Sequence, residues 1–343
     1  MRRGARHNPP NRFDPLAYAY EAALAPDSAP VQIIRLKARR IVNVIDSPDL
    51  PIVYSMNPYA GCEHGCIYCY ARNSHEYWGF SAGIDFETKI LVKENAPALL
   101  RAQLSDPKWR PQPIMLAGNT DCYQPLEREF GLTRQILEVL LEFRHPVCII
   151  TKSALVLRDI DILSELSRLN LVHVYISVTT LREELRQRLE PRTAAAARRL
   201  EVIRRLTAAG VPVGVMVAPL IPGLNADELL PIMAAARAAG ARTAAYTIVR
   251  LNGAIAEIFA TWLRTYFPDR AEKVLRQIAA CHGGQLGDSQ WGRRLQGSGP
   301  LAEAIQQTFQ AGLARYYSTA PPMPAYDLSR FRRGGQPSLF ETA

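Results

Sequence analysis

Long apolar runs are missing from this chain of 343 residues. No stretch approaches the roughly 20 apolar residues that a membrane-spanning helix needs, so a soluble protein is expected. The first residues, Met1 to Arg6, are basic but lack the apolar segment of a secretion signal. These absences predict a cytoplasmic protein that does not bind a membrane.

Acidic residues are outnumbered, with 32 Asp and Glu against 41 Lys and Arg, which gives a net charge of +9. Lysine is also scarce, so arginine supplies nearly all of the positive charge. An excess of cations favours an acidic partner, and nucleic acid is the commonest one. The arginines could serve as phosphate-binding forks, or they could reflect only a GC-rich genome.

Cysteine is rare, yet three of the six cysteines lie within eight residues, at Cys62, Cys66 and Cys69. A disulfide is disfavoured because thiols stay reduced in a chain without a secretory segment. Three thiolates can hold three irons of a cubane and leave the fourth iron open, much as a catalytic zinc keeps an open position. A structural zinc site that uses the three cysteines with His64 or a distant histidine is the alternative.

The C-x3-C-x2-C spacing, with Tyr68 before the third cysteine, resembles the cluster motif of radical S-adenosylmethionine (SAM) enzymes. The flanking Tyr59-Ala60-Gly61 and Tyr70-Ala71-Arg72 resemble the spore photoproduct lyase-like branch, which is related to DNA repair. The resemblance implies a [4Fe-4S] cluster on the three cysteines, with SAM at the open iron and Tyr68 against it. It also implies release of a 5′-deoxyadenosyl radical, which takes a hydrogen atom from the substrate, and an electron donor of the flavodoxin or ferredoxin type.

From Ile52 onward, short apolar runs alternate with amphipathic segments, a pattern that indicates βα units and a parallel sheet. Strands are predicted near 52–56, 112–118, 146–151, 172–178, 211–217 and 243–249. Helices are predicted at 96–105, 133–143, 158–169, 181–189, 194–209 and 227–239. The predicted fold is α/β, a partial (β/α)6 TIM-type barrel with N- and C-terminal extensions, which the resemblance also implies.

The chain length suits one main domain with extensions. We expect a flexible basic arm over residues 1–30 and the core barrel over 31–250. A C-terminal helical extension over 251–325 and a flexible tail over 326–343 complete the predicted organisation.

Ligands of such barrels lie at the carboxyl ends of the strands. Asn119, Thr120 and Asp121 follow the second predicted strand, where the resemblance implies contact with the methionyl amino group of SAM. The alternative is a polar turn whose side chains cap the next helix.

Later strand ends supply further candidates for SAM binding. Lys152 could anchor a carboxylate, and Ser177 could bind ribose or methionyl oxygens. Arg192, in a segment that resembles the Glu-Pro-Arg of the family, could bind the SAM carboxylate or pair with the nearby glutamate. Pro222 and Gly223 lie in a turn that resembles the adenine-binding segment, although such turns are common in α/β folds.

Cys122 is the candidate catalytic residue. In spore photoproduct lyases a cysteine at the end of the second strand returns a hydrogen atom to the product. Aligned on the Thr-Asp pair, that position is Gly118 here, and Cys122 follows four residues later. Cys122 is therefore predicted as a displaced hydrogen donor, with a buried structural cysteine as the alternative, and repair of thymine dimers is put in doubt.

The C-terminal segment Gln336-Pro337-Ser338-Leu339-Phe340 resembles the peptide that docks on the bacterial β sliding clamp, through Gln336, Leu339 and Phe340. Taken together, these patterns predict a radical SAM enzyme that acts on nucleic acid, with DNA favoured. The same chemistry on RNA, a peptide or a small metabolite is an alternative. A zinc-stabilised nucleic-acid-binding protein without catalysis is another.

Overall fold

The computed structural model describes residues 3–13 and 30–334. Two sheets are formed within these residues. Their strands, in chain order, are β1 (Gln32–Leu36), β2 (Val42–Val44), β3 (Tyr54–Met56), β4 (Tyr59–Ala60), β5 (Lys89–Lys93), β6 (Ile114–Leu116), β7 (Val147–Thr151), β8 (Val172–Ser177), β9 (Val213–Leu220) and β10 (Thr243–Ile248).

Helices connect most of these strands and continue beyond the last one. They are α1 (Asp85–Thr88), α2 (Ala96–Ser105), α3 (Glu127–Phe130), α4 (Leu132–Glu142), α5 (Ile160–Arg168), α6 (Glu183–Leu189), α7 (Ala196–Ala208), α8 (Leu229–Ala238), α9 (Ile255–Tyr266), α10 (Ala271–Ala280) and α11 (Pro300–Gly312). A 3-10 segment, Tyr70–Trp78, directly follows the cysteine loop.

The larger sheet has the strand order β10-β9-β8-β7-β6-β3-β2. All neighbours from β3 to β10 pair in parallel, and β2 adds an antiparallel edge. Each parallel neighbour is the next strand of this sheet along the chain, which is the winding of a TIM-type barrel. In the described part of the chain β10 and β2 do not pair, so the structure confirms the partial six-stranded barrel.

Two barrel strands end two or more residues away from their predicted ends. β6 ends at Leu116 because the next residue, Ala117, has a φ of 74° and leaves the extended conformation. β9 continues to Leu220, past the position where the sequence pattern ended it. These differences decide which side chains reach the carboxyl end of the sheet.

The smaller sheet has the order β1-β5-β4, with β1 parallel and β4 antiparallel to β5. Residues 33–45 mix basic and apolar side chains, which is typical of edge strands, but this pattern gave no indication of a separate sheet. Because β4 leads into the cysteine loop, the sheet holds one end of that loop.

Two large apolar clusters form the core, and one of them includes the cysteine loop. The larger one lies between the barrel strands and helices such as α4, α5, α7 and α8. The second one surrounds α9 and α10, and it joins Phe259 and Trp262 to Ile67 and Tyr68. The C-terminal helices therefore pack directly on the cysteine loop.

The N-terminal residues correct one prediction. Residues 3–13 were expected to belong to a flexible arm, but Arg3, Gly4 and Ala5 are buried against the cysteine loop. Gly4 lies so close to Gly65 that a Cβ at this position would overlap the Gly65 carbonyl oxygen. Residues 14–29, the remainder of the predicted arm, lie outside the described residues.

The predicted C-terminal tail also begins with ordered contacts. The backbone amide of Asp327 donates to Asn170 O at 3.1 Å, and that of Arg332 donates to Phe143 O at 3.0 Å. The clamp-like residues Gln336, Leu339 and Phe340 lie outside the described part of the chain. Among the described helices, none is both long enough and apolar enough to cross a membrane.

Candidate active site

Three free thiols meet at one cavity. Cys62, Cys66 and Cys69 all line a space of about 340 Å³ at the carboxyl ends of the strands. Burial raises the pKa of each thiol above its ordinary value. Because thiolates ligate metals, a bound cationic centre would have to compensate for this burial.

No three His, Cys, Asp or Glu side chains in the described residues are grouped so that they could hold one metal ion. His64, the histidine named in the zinc alternative, is buried, and its Nδ1 lies 3.4 Å from Asp121 Oδ2. Thiols that bind separate irons of a cluster do not need to converge on one point.

The backbone of the cysteine loop is held by a buried ion pair. Arg72 donates to Cys66 O at 3.0 Å and to Glu87 Oε1 at 2.5 Å. Glu87 also accepts hydrogen bonds from the backbone amides of Gly4, at 2.9 Å, and Ala5, at 2.8 Å. The N-terminal segment and the cysteine loop therefore share one carboxylate, which is fully shielded from solvent.

Tyr68 is fixed by a second buried carboxylate. Its hydroxyl donates to Glu190, which also accepts from the Thr179 hydroxyl at 2.6 Å and pairs with Arg199. Burial raises the pKa of Glu190, but Arg199, Lys152 and the hydroxyl donors lower it to about 2. Glu190 is therefore a carboxylate that orients the aromatic ring predicted to lie against SAM.

Asn119, Thr120 and Asp121, in the loop after β6, line the cavity, but most of their polar groups bind other groups of the protein. The side-chain amide of Asn119 donates to Ser74 Oγ at 3.0 Å, and Thr120 Oγ1 donates to Tyr59 O at 2.7 Å. Both backbone amides donate to Asn57 Oδ1. These bonds hold the loop itself, and none of them caps the next helix, α3, as the alternative expected.

Asp121 is the most constrained of the three. It accepts from Thr151 Oγ1 at 2.7 Å and from the Lys152 amide at 2.9 Å, in addition to its contact with His64. Burial raises its pKa, but these partners lower it to about 2. The carboxylate therefore joins the ends of β6 and β7 to the cysteine loop.

Lys152 carries a positive charge near the thiols that is not paired with a described residue. Its Nζ lies 5.9 Å from the centre of the Tyr68 ring, and its ammonium makes no hydrogen bond or ion pair to a described residue. The charge of Lys152 lowers the pKa of Cys66 and Cys69 against the larger effect of burial. Ser177 also lines the cavity.

Four predicted residues do not line the cavity. Arg192 pairs with Glu63 at 3.0 Å, so the predicted glutamate partner two residues before it is not the one used. The other three are Pro222, Gly223 and Cys122. Met216, Ala218 and Pro219 of β9 line the cavity instead. Ala218 and Pro219 belong to the strand because β9 extends further than its apolar pattern indicated.

Cys122 is completely buried in the larger apolar cluster. Burial raises the pKa of its thiol well above the ordinary value, and the nearby Asp121 and Glu127 act in the same direction. This environment matches the alternative of a structural cysteine.

The rim of the cavity carries two arginines. Arg250 follows β10, and Arg294 comes from a loop more than forty residues later. Arg294 pairs with Asp49 at 2.5 Å, and the backbone amide of Gly292 donates to the same carboxylate at 2.6 Å. No local sequence signal placed Arg294 here.

The fold and the site together define a (β/α)6 barrel with a three-thiol centre beside a ligand-sized cavity. The chain belongs to the radical SAM superfamily, whose model matches residues 56–236, more than half of the chain. This superfamily uses a [4Fe-4S] cluster and SAM. The three free thiols at one cavity fit such a cluster.

The protein is similar to an uncharacterised protein of Mycobacterium tuberculosis, Rv2578c, with 37% identity over 225 residues. That match covers 64% of this chain and 65% of the relative, so the chain spans about two thirds of its length. An uncharacterised protein of Methanocaldococcus jannaschii, MJ0683, is 30% identical over 194 residues, which cover 57% of this chain and 70% of that protein.

Among solved structures, spore photoproduct lyase complexed with dinucleoside spore photoproduct has a TM-score of 0.62 at 14% identity, covering 85% of this chain and 82% of the lyase. A double mutant of that lyase with bound AdoMet and the same dinucleoside has a TM-score of 0.60 at 14% identity, over the same shares of the two chains. At this identity the likeness shows a common fold.

Proposed function

We propose that this radical SAM protein cleaves SAM reductively and uses the resulting 5′-deoxyadenosyl radical on a nucleic acid, with DNA favoured. The observation that carries the proposal is the single cavity, which has three thiols at its floor, Lys152 beside them and two arginines at its rim. The net charge of +9 and the common fold with a lyase solved with a dinucleoside photoproduct support the choice of nucleic acid.

Within this proposal each part of the cavity has its own role. Cys62, Cys66 and Cys69 ligate the cluster, and Tyr68, oriented by Glu190, lies against SAM. Lys152 binds the SAM carboxylate because its ammonium is free of protein acceptors among the described residues. Apolar residues of β9, including Met216 and Pro219, contact the adenine and exclude water.

The test of the chemistry is anaerobic reconstitution with iron and sulfide, followed by reduction with dithionite in the presence of SAM. We expect 5′-deoxyadenosine from the wild-type protein and none from Cys66→Ala. Cys148→Ala is the matched control, because Cys148 is a buried cysteine inside β7 and does not line the cavity. Stoichiometric zinc without iron or sulfide in anaerobically purified protein would instead support the non-catalytic alternative.

The substrate is tested separately with deuterated DNA. Transfer of deuterium into 5′-deoxyadenosine would support DNA as the hydrogen donor. Full cleavage of SAM without transfer from DNA would leave RNA, a peptide or a small metabolite as the target. Flavodoxin or ferredoxin as electron donor, and clamp docking through residues 336–340, stay predictions; titration of a 330–343 peptide with the clamp tests the latter.

A further inference from the structure

Arg250 is a half-buried cation without an acceptor among the residues that the structure describes. It lines the cavity at the end of β10, and its guanidinium makes no hydrogen bond or ion pair with the residues at 3–13 and 30–334. Burial lowers its pKa, and the neighbouring Arg294 acts in the same direction. A partly desolvated guanidinium is costly unless an anion compensates it.

The acidic groups around Arg250 are already used. Asp49 binds Arg294 and the Gly292 amide, while Asp288 accepts from Arg293 Nε at 2.7 Å and from the Gln290 amide at 2.8 Å. Both neighbouring carboxylates therefore accept from other groups of the protein, and no carboxylate of a described residue accepts from Arg250. This arrangement indicates that the missing anion comes from a ligand.

The loop that carries Arg294 is held in place at the rim. Asp49 binds it at two points, and the amide of Ile248, the last residue of β10, donates to Leu295 O at 2.8 Å. The two guanidinium groups therefore stay close in spite of their repulsion. The same loop exposes Trp291, of which 55% is accessible to solvent.

Arg250 and Lys152 mark two different places in the cavity. The charge of Lys152 acts on Cys66, Cys69 and Glu190, whereas that of Arg250 acts on Tyr70 and Asp49. Lys152 is therefore the inner cation, next to the thiols, and Arg250 is the outer one. An anion at Arg250 is distinct from the amino-acid carboxylate assigned to Lys152.

We propose that Arg250, with Arg294 beside it, binds a phosphodiester of the substrate strand at the cavity rim, and that Trp291 offers a stacking surface to a neighbouring base. Guanidinium groups match the geometry of phosphate oxygens, and aromatic side chains stack on bases of unpaired strands. The inference rests on the proposed function and specifies the partner as an extended nucleic-acid strand.

The test measures the affinity of reconstituted protein for a fluorescent single-stranded oligonucleotide, by anisotropy at several salt concentrations. Arg250→Gln is expected to weaken binding about tenfold, as loss of one charge-assisted contact does. The slope of log Kd against log salt should fall by about one. Trp291→Ala should weaken binding by roughly tenfold without changing that slope.

Arg168→Gln is the matched control. It removes the same charge from the last turn of α5, at the opposite end of the barrel strands, where Arg168 is 69% exposed. This variant is expected to bind the oligonucleotide and SAM as the wild type does. Arg250→Lys keeps the charge and should retain the wild-type salt slope, which separates a lost contact from a misfolded protein.

Three results would overturn the inference. If Arg250→Gln loses SAM affinity as strongly as oligonucleotide affinity, Arg250 belongs to the SAM site. If a deoxynucleoside monophosphate competes as well as the oligonucleotide, the ligand is a free nucleotide. If Arg250→Gln binds the oligonucleotide like the wild type while deuterium transfer from DNA persists, the rim assignment is wrong and the proposed function stands.

Discussion

The charged side chains at the floor of the cavity are paired within the protein, whereas one charged side chain at the rim, that of Arg250, is not paired with a described residue. At the floor, Glu190 and Asp121 are buried carboxylates whose oxygens accept from several donors each. At the rim, Arg250 has no acceptor among the described residues. Lys152 lies 5.9 Å from the centre of the Tyr68 ring and likewise makes no hydrogen bond or ion pair to a described residue. Internal pairing fixes geometry before a ligand arrives, whereas an unpaired cation leaves binding energy for the ligand.

The largest expected effect comes from breaking a floor contact. Glu190→Gln would leave Arg199, whose side chain is 2% exposed, without its charge partner. Removal of one partner of a buried pair costs about 3–5 kcal/mol. Urea unfolding of the apoprotein should show this loss.

The control for Glu190→Gln is Glu165→Gln, which removes the partner of Arg168 in a surface pair. That variant should stay close to the wild type, because exposed pairs contribute little. Equal stability of the two variants would contradict the distinction between floor and surface.

Acid should weaken the two carboxylate contacts at the floor of the cavity, whereas the charge of Arg250 stays the same. The pKa of Asp121 and of Glu190 is about 2 in the folded protein, against ordinary values of 3.8 and 4.5. The unfolded chain therefore binds more protons, so the stabilisation is complete above about pH 4.5 and is lost as the pH falls towards 2. The expected loss is about 2 kcal/mol for Asp121 and about 3 kcal/mol for Glu190.

This acid loss is measured by urea unfolding at a series of pH values. In Asp121→Asn the free energy of unfolding should depend less on pH between 4.5 and 2, because one of the two carboxylates with a pKa of about 2 is gone. A curve as steep as that of the wild type would show that Asp121 does not contribute. The charge of Arg250 does not change in this range.

A smaller effect is expected from the N-terminal residues that cover the floor. Gly4→Ala places a methyl group on the Gly65 carbonyl, so the two backbones must separate, at a cost of about 1–3 kcal/mol. Iron should then be lost faster to a chelator. Arg6→Ala, an exposed change in the same segment, is the control; equal rates for the two variants would contradict a protective cover.

The smallest expected effect is at the inner cation. Lys152→Met should weaken SAM binding about tenfold, the value of one charge-assisted contact. Lys273→Met, an exposed change in α10, should leave it unchanged. If calorimetry shows equal SAM affinity for both variants, the free charge of Lys152 does not serve SAM.

The barrel and the cysteine loop could be predicted because their signals are local. The alternation of apolar runs and amphipathic segments placed all six parallel strands, and the spacing of three cysteines identified the loop. The partners of the loop could not be predicted in this way. Glu87 binds Gly4 and Ala5 more than eighty residues away, and only the folded chain brings them together.

Sequence reasoning also misjudged side chains at the strand ends, where a shift of a few residues changes which of them reach the cavity. Pro222 and Gly223 were chosen from a turn, but the longer β9 brings Ala218 and Pro219 to the site instead. Arg294 was missed because a distant loop carries it to the rim, and Asp49, which fixes that loop, had no distinguishing pattern.

The contact of Gly4 and Ala5 with Glu87 also has a consequence for biosynthesis. Gly4 and Ala5 are translated before the cysteine loop, yet the carboxylate that receives them is translated after all three cysteines of that loop. During synthesis the cysteine loop is therefore complete before the N-terminal segment has its binding partner.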